Sequence, residues 1–314
     1  MKVSIIIPCK ELNNYVEECI EHCKKLEYSN FEIILIPDKK IKQIDGVKII
    51  IKERKPSAKR NFAAKRANGE ILAFIDSDAY PDKEWLKNAL KQFKSEIGIV
   101  GGPNLTPKDD SFTQKISGEI LSNKLMGNAS IRYRIDRLKE VNELPSCNFL
   151  VKNDLFLKLK GFDENLLTAE DSKLCFEIKE KLNKKVLYAP DVIVYHHRRK
   201  GFFNHLKQMF IYGRDVAYLF KKDKFRIYYM IPSLLVLYIV LGLITSFLIR
   251  QFSIFFLITI FIYIMIILIF SFRLNIIKWV LISIGVILTH LIYGLGFLYG
   301  VKNENINRLS TIKG

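Results

Sequence analysis

Glu70-Ile-Leu-Ala-Phe-Ile-Asp-Ser-Asp78 decides the fold. Its apolar run, Ile71–Ile75, follows Gly69 and ends in a carboxylate pair, a pattern that predicts a short buried strand. Asp76 and Asp78 then fall at the strand's C-terminal end, where open α/β sheets place their ligands. Two carboxylates spaced i, i+2 can share one divalent cation. Mg²⁺ or Mn²⁺ commonly takes one or two carboxylates together with phosphate oxygens. The stretch therefore predicts a metal–diphosphate site, against the plainer reading of a polar turn, since Asp and Ser are turn residues.

The flanking sequence repeats the same grammar. Val3–Pro8, Phe31–Ile36, Val47–Ile51 and Ile97–Val100 read as further strands. Asn13–Lys25, Ser57–Ala67 and Asp82–Phe93 read as helices between them, the first with Val16, Cys19, Ile20 and Cys23 at i, i+3/i+4 spacing. Strands alternating with helices predict a mostly parallel sheet wrapped by helices. No G-x-G-x-x-G follows the first strand, so a dinucleotide site lacks its phosphate loop. Ser111–Lys124 is a weaker helix, and Ser130–Leu138 has no clear period. Beyond them lie a strand at Ser146–Val151, helices at Asp154–Lys158 and Ser172–Leu182, and strands at Val186–Ala189 and Val192–His196.

After Phe220 the composition changes. Residues 230–249, 252–272 and 279–301 carry no Asp, Glu, Lys or Arg. Each is long enough for the ~20 apolar residues that cross a bilayer. The division expected is a catalytic domain over 1–200, an amphipathic juxtamembrane segment over 201–228, three spans at about 230–249, 252–272 and 276–301, and a tail over 302–314. In the juxtamembrane segment, Phe202, Leu206, Met209, Phe210, Gly213, Val216, Ala217 and Phe220 share one face, as in a helix lying on a membrane or one packed on the catalytic domain. The formal charge of +17 has a local source: Arg198, Arg199, Lys200, Lys207, Arg214, Lys221, Lys222, Lys224 and Arg226 precede the first span. Such a cluster marks the cytoplasmic side and attracts anionic lipid, which removes charge as an argument for nucleic-acid binding. Val3–Ile7 is too short for a signal-peptide core, so the expectation is a multi-pass protein of the cell membrane with its catalytic domain in the cytoplasm. The five cysteines have no framework spacing and read as core thiols.

Together these pieces resemble family 2 glycosyltransferases of the GT-A fold. Val3-Ser-Ile-Ile-Ile-Pro8 resembles the opening strand, Lys59-Arg60-Asn61 with Ala67-Asn-Gly-Glu70 the donor-side helix, and Phe74-Ile-Asp-Ser-Asp78 the D-x-D motif. Gly161-Phe-Asp-Glu164, Glu170-Asp171 and Pro190-Asp-Val-Ile-Val-Tyr-His196 resemble the acceptor-side half. The resemblance runs from Val3 to about Gly213. It implies a Rossmann-like α/β GT-A domain followed by an all-α transmembrane region.

The resemblance also implies roles. Pro8, Glu11, Asp38, Lys59, Arg60 and Asp76 would surround the donor nucleotide, a UDP- or GDP-sugar. Asp76, Asp78 and His196 would hold Mn²⁺ or Mg²⁺, with His197 an equal contender for the histidine. Asp171 would be the general base and Glu170 its partner; helix capping is the alternative use of both. The expected reaction is inverting transfer to a hydroxyl of a lipid-linked or polysaccharide acceptor. A dedicated base suits a hydroxyl better than a polyprenyl phosphate, which is already ionised near neutral pH. The alternatives are a polyprenyl-phosphate sugar synthase and a catalytically silent membrane scaffold. Two departures stand out. Pro37-Asp38-Lys39-Lys40 keeps one acid where the family usually has two, and no Gln-x-x-Arg-Trp signature is present.

Overall fold

A computed structural model of the chain describes residues 1–166, 168–223 and 227–303. The tail beyond 303 and residues 224–226 of the basic stretch lie outside them. The described chain divides into two compact units, one of Met1–Lys108 with Ile131–His197, the other of Asp109–Ser130 with the chain from Arg198 onward.

The first unit is built on strands β1 (Val3–Pro8), β2 (Phe31–Ile36), β3 (Val47–Ile49), β4 (Ile71–Phe74), β5 (Ala79–Pro81), β6 (Ile97–Gly101), β7 (Asn104–Leu105), β8 (Lys139–Glu140), β9 (Phe149–Lys152), β10 (Lys185–Tyr188) and β11 (Val194–His196). Among the described residues, eight of them form one sheet in the order β3-β2-β1-β4-β9-β6-β10-β8, and β5-β11-β7 form a second. β3, β2, β1 and β4 run parallel. β9 lies antiparallel between β4 and β6, with Phe74 opposite Phe149. The parallel half was expected; β9's direction was not, because nothing local in Ser146–Val151 records which neighbours it will find.

Alternation along the strands makes two apolar layers. Ile5, Ile7, Leu35, Ala73 and Ile75 enter one, while Ile6, Ile34, Ile36, Leu72 and Phe74 enter the other. A sheet buried on both faces needs continuous apolar strands, which is why these runs do not alternate with polar residues. The helices of this unit are α1 (Asn14–Lys24), α2 (Pro56–Ala64) and α3 (Trp85–Gln92), with α5 (Asn153–Lys158) and α6 (Glu170–Leu182) later in the chain. α1 starts where the Asn13 side chain accepts from the Val16 amide at 3.1 Å, and it buries Val16, Cys19, Ile20 and Cys23. All five cysteines are buried and free.

β1, β2 and β4 end on the same edge, and antiparallel β9 begins there. The turns after Pro8, Ile36 and Phe74 are thereby brought beside Ser146–Asn148. On that edge, buried Asn148 accepts from the Trp85 indole at 2.9 Å and donates to the carbonyls of Pro103 and Val192 at 3.1 and 2.8 Å. Gly102 fits there because it has no side chain: a Cβ would stand 2.2 Å from the Val192 carbonyl oxygen and 2.4 Å from that of Ala189. Backbone atoms cannot give way as a side-chain end does. Gly102→Ala is therefore expected to destabilise the protein by about 1–3 kcal/mol, the cost of overpacking a filled core, measured as a lowered melting midpoint.

The second unit contains α4 (Phe112–Ser122), α7 (Phe202–Asp223), α8 (Ile231–Leu248), α9 (Arg250–Ser271) and α10 (Ile276–Lys302). Three of its helices, Ile227–Leu248, Arg250–Ser271 and Ile276–Lys302, are long and apolar enough to cross a membrane. Two findings differ from the continuous 1–200 and 201–228 division. First, Asp109–Ser130 belongs to this unit: Ile116 and Ile120 pack with Ile267, Ile282 and Val286, and Asn123 donates to Ser271 at 3.1 Å. Second, the apolar face of α7 packs against α10. Gly296 lets the Phe210 carbonyl come within 2.2 Å of where a Cβ would stand, the close approach that small residues permit between apolar helices. Arg214 lies inside this packing and pairs with fully buried Asp215 at 2.6 Å.

Candidate active site

Three consecutive residues of α2 organise the edge where β1, β2 and β4 end. Successive helix positions point about 100° apart, so Lys59, Arg60 and Asn61 reach three different segments. Lys59 Nζ lies 2.5 Å from Asp38 Oδ1 and also donates to the Cys9 carbonyl, tying the ends of β1 and β2 together. Arg60 forks, with Nη2 2.5 Å from Asp76 Oδ1 and Nη1 3.0 Å from Glu170 Oε1. Asn61 accepts from the Phe162 amide at 2.8 Å and donates to the Phe162 carbonyl and Glu164 at 2.8 and 3.1 Å. Lys59 and Arg60 are each only 3% exposed, so neither belongs to a solvated helix face. Burying a charge this deeply requires a partner, and each has a carboxylate.

The D-x-D turn faces β11. His196 Nε2 is 3.2 Å from Asp78 Oδ1. Ligand atoms of Asp76, Asp78 and His196 all lie within 4.8 Å of one another. The donor set of two carboxylates and one imidazole suits Mn²⁺, and the carboxylates suit Mg²⁺; these residues fit such an ion. Strand alternation separates the two histidines: His196 faces Asp78, whereas His197 points to the other face and pairs with Glu18 Oε2 at 3.0 Å. Burial works against protonation of His196, but Asp78 and Cys147 outweigh it and hold its pKa well above the ordinary value.

Glu170 and Asp171 open α6, in its first turn rather than before it. Ala169 precedes them in the left-handed region at φ 64°, an unusual conformation for a residue other than glycine. Asp171 Oδ2 accepts from the Ser146 amide at 2.9 Å and Oδ1 from the Ser172 amide at 2.7 Å. Burial and the neighbouring Asp171 raise the pKa of Glu170, against the pull of Arg60. Burial likewise raises that of Asp171, opposed by Arg132 and the Ser146 amide. Glu170 is buried and engaged by Arg60, whereas Asp171 is partly exposed.

A cavity of about 460 Å³ opens beside Asp38, lined also by Glu53, Arg54, Lys55, Ala58, Glu164 and Asn165. Glu11 is exposed on the loop after β1. Among the described residues, no hydrogen bond or ion pair joins it to the others, and Pro8 contributes as the end of β1. Sequence reasoning missed Asn61's clamp on Phe162–Glu164, Ser146's bond to Asp171 and Glu18's to His197. All three join residues far apart in the chain. The one local signal was the run of three polar residues inside an otherwise packed helix.

Residues 4–157 match the model of "Glycosyl transferase family 2". The chain is 25% identical over 274 residues to a Methanococcus voltae protein, covering 79% of this chain and 83% of that one. That protein is dolichyl N-acetyl-alpha-D-glucosaminyl phosphate 3-beta-D-2,3-diacetamido-2,3-dideoxy-beta-D-glucuronosyltransferase. This chain is 22% identical to the glucosyl-dolichyl phosphate glucuronosyltransferase of Haloferax volcanii, over 62% of this chain and 69% of the relative. Against the poly(ribitol-phosphate) beta-N-acetylglucosaminyltransferase TarS of Staphylococcus aureus it is 24% identical over 68% of this chain, but spans only 38% of the relative's length. The mannosyltransferase PcManGT of Pyrobaculum calidifontis, solved with GDP-Man and Mn²⁺, shares the fold at a TM-score of 0.54 and 18% identity, covering 72% of this chain and 64% of that one. Residues 4–157 thus match a family 2 glycosyltransferase domain, the relatives are named glycosyltransferases, and the chain has a GT-A fold followed by helices long and apolar enough to cross a membrane.

Proposed function

We propose that this enzyme transfers a sugar, with inversion, from a nucleoside-diphosphate sugar to a hydroxyl of a lipid-linked glycan or polysaccharide. The observation that carries the reading is the Arg60 fork, which fixes the D-x-D carboxylate Asp76 and the Glu170-Asp171 pair in one frame. A donor-side carboxylate and the acceptor-side Glu170, next in the chain to the base, held by one buried guanidinium give the alignment an in-line displacement needs.

The nucleoside would occupy the cavity beside Asp38, with Lys59 setting the position of that carboxylate. Asp76, Asp78 and His196 would hold Mn²⁺ or Mg²⁺, which acts as a Lewis acid on the departing diphosphate. Asp171 removes the proton of the acceptor hydroxyl as that oxygen attacks the anomeric carbon. Its two backbone bonds fix its plane, yet each carboxylate oxygen keeps a further lone pair. Glu170, locked by Arg60, positions the acceptor side. One attack on the face opposite the leaving group inverts the anomeric centre.

The names of two relatives support a lipid-linked acceptor, since each includes a dolichyl phosphate bearing a sugar. The three apolar helices support a multi-pass membrane protein, and the basic residues preceding them support a cytoplasmic catalytic domain. The test is product analysis. Purified enzyme is incubated with an α-linked nucleotide sugar and a polyprenyl-linked monosaccharide, and the new linkage is read by NMR. A β-linked disaccharide is expected. Retained configuration, or sugar added to the phosphate of an unglycosylated polyprenyl phosphate, would contradict the proposal.

A further inference from the structure

We infer that Glu18 and His197 are positioning residues for the metal ligands Asp78 and His196; the inference rests on the metal reading above. Asp78 and His196 come from separate segments, joined through the short ladder of β5 and β11, in which His196 lies opposite Ala79 and Tyr195 opposite Tyr80. A ladder of three residues on a small sheet does little by itself to fix its own twist. The His197 amide extends it by donating to the Asp78 carbonyl at 3.0 Å. The His197 side chain then leaves the strand on the face opposite His196. Its ring packs against Tyr15 and Tyr80, at centroid distances of 4.5 and 5.8 Å, and its Nε2 meets Glu18 Oε2 at 3.0 Å. The imidazole is 6% exposed and the Glu18 carboxylate 32%.

Glu18 is anchored in turn. α1 is held on the main sheet by buried Val16, Cys19, Ile20 and Cys23. The next residue after Glu18, Cys19, places its thiol 3.8 Å from the Asp76 carbonyl oxygen. α1 thus braces the D-x-D turn at one residue and the β11 ladder at the next. Through Glu18 and His197 the position of the main sheet is passed to the distance between Asp78 and His196. Groups one step behind metal ligands typically change metal affinity by about 10–100-fold when removed.

The test is Mn²⁺ titration of the full chain in detergent, following the free-ion signal by electron paramagnetic resonance. Wild type is compared with Glu18→Ala, Glu18→Gln, His197→Phe, Asp78→Ala and His196→Ala. His197→Phe keeps a ring against Tyr15 and Tyr80 but cannot bond Glu18, so it reports on the bond if Glu18→Ala fails to fold. Glu18→Ala and His197→Phe are expected to weaken Mn²⁺ binding about tenfold or more, with Glu18→Gln retaining most of it. If those two bind Mn²⁺ as wild type does while Asp78→Ala and His196→Ala do not, the positioning role is wrong. If Asp78→Ala and His196→Ala also bind normally, the metal site itself is wrong, and the inference falls with it.

Discussion

Asp171→Asn is expected to lower the rate of transfer by about 10²–10⁴-fold, the contribution of a placed general base, while leaving nucleotide-sugar binding within about twofold, since only the acceptor-side step is touched. The amide keeps the size of the side chain, but its single oxygen can accept from only one of the Ser146 and Ser172 amides, a loss of about 1–3 kcal/mol that the fold should survive. The same residue sets the pH dependence. Burial raises the Asp171 pKa above the ordinary carboxylate value. Only the ionised form can accept a proton, so activity is present above that raised pKa and is lost as the pH falls through it. The acid limb of kcat/KM should therefore lie above the ~3.9 of a free aspartate. A variant retaining wild-type turnover would move the enzyme to the polyprenyl-phosphate class, whose acceptor is already ionised and needs little base.

Arg60→Ala is expected to have the largest effect on stability. The guanidinium is buried between two carboxylates. Its removal leaves Asp76 and Glu170 without their counter-charge, and breaking such a buried pair from one side costs about 3–5 kcal/mol. In a protein of this size that corresponds to a melting midpoint lowered by roughly 6–20 °C. Part of the loss should be relieved by lowering the pH, because protonating Glu170 removes one uncompensated charge. The sign follows from the environment. Burial and Asp171 already raise the Glu170 pKa, and loss of Arg60 raises it further, so the destabilisation is smallest at acid pH and grows as the pH rises. Arg60→Lys should recover only part of the stability, since one ammonium cannot reproduce the fork. A melting midpoint of Arg60→Ala within about 2 °C of wild type would mean that the fork does not hold the site.

Much of this was legible in the chain itself, because the signals were local. The apolar run before Asp76 is a strand because its residues are buried on both faces, and burial on both faces is written in composition. The three apolar helices are legible for the same reason. What escaped depends on contacts between distant segments. Ile116 and Ile120 look like the inner face of any amphipathic helix, and nothing near them records that their partners are Ile267, Ile282 and Val286. His196 and His197 are equivalent in sequence and become distinct only when β11 pairs with β5 and Glu18 takes one of them. Arg60 was readable as a donor-side residue; its pairing with Asp76 and Glu170 joins segments that are far apart in the chain. Arg214, counted with the basic cluster before the first span, is buried in the α7 packing beside Asp215.

Metal-assisted transfer from a nucleotide sugar can be read from nucleoside diphosphate release by the detergent-purified chain. A panel of UDP-, GDP- and dTDP-sugars would be run with Mn²⁺ or Mg²⁺, with chelator, and beside Asp78→Ala. Release from one donor is expected in the presence of a lipid-linked sugar acceptor, lost with chelator and lost in the variant. Release that is indifferent to both chelator and Asp78→Ala would contradict metal-assisted transfer.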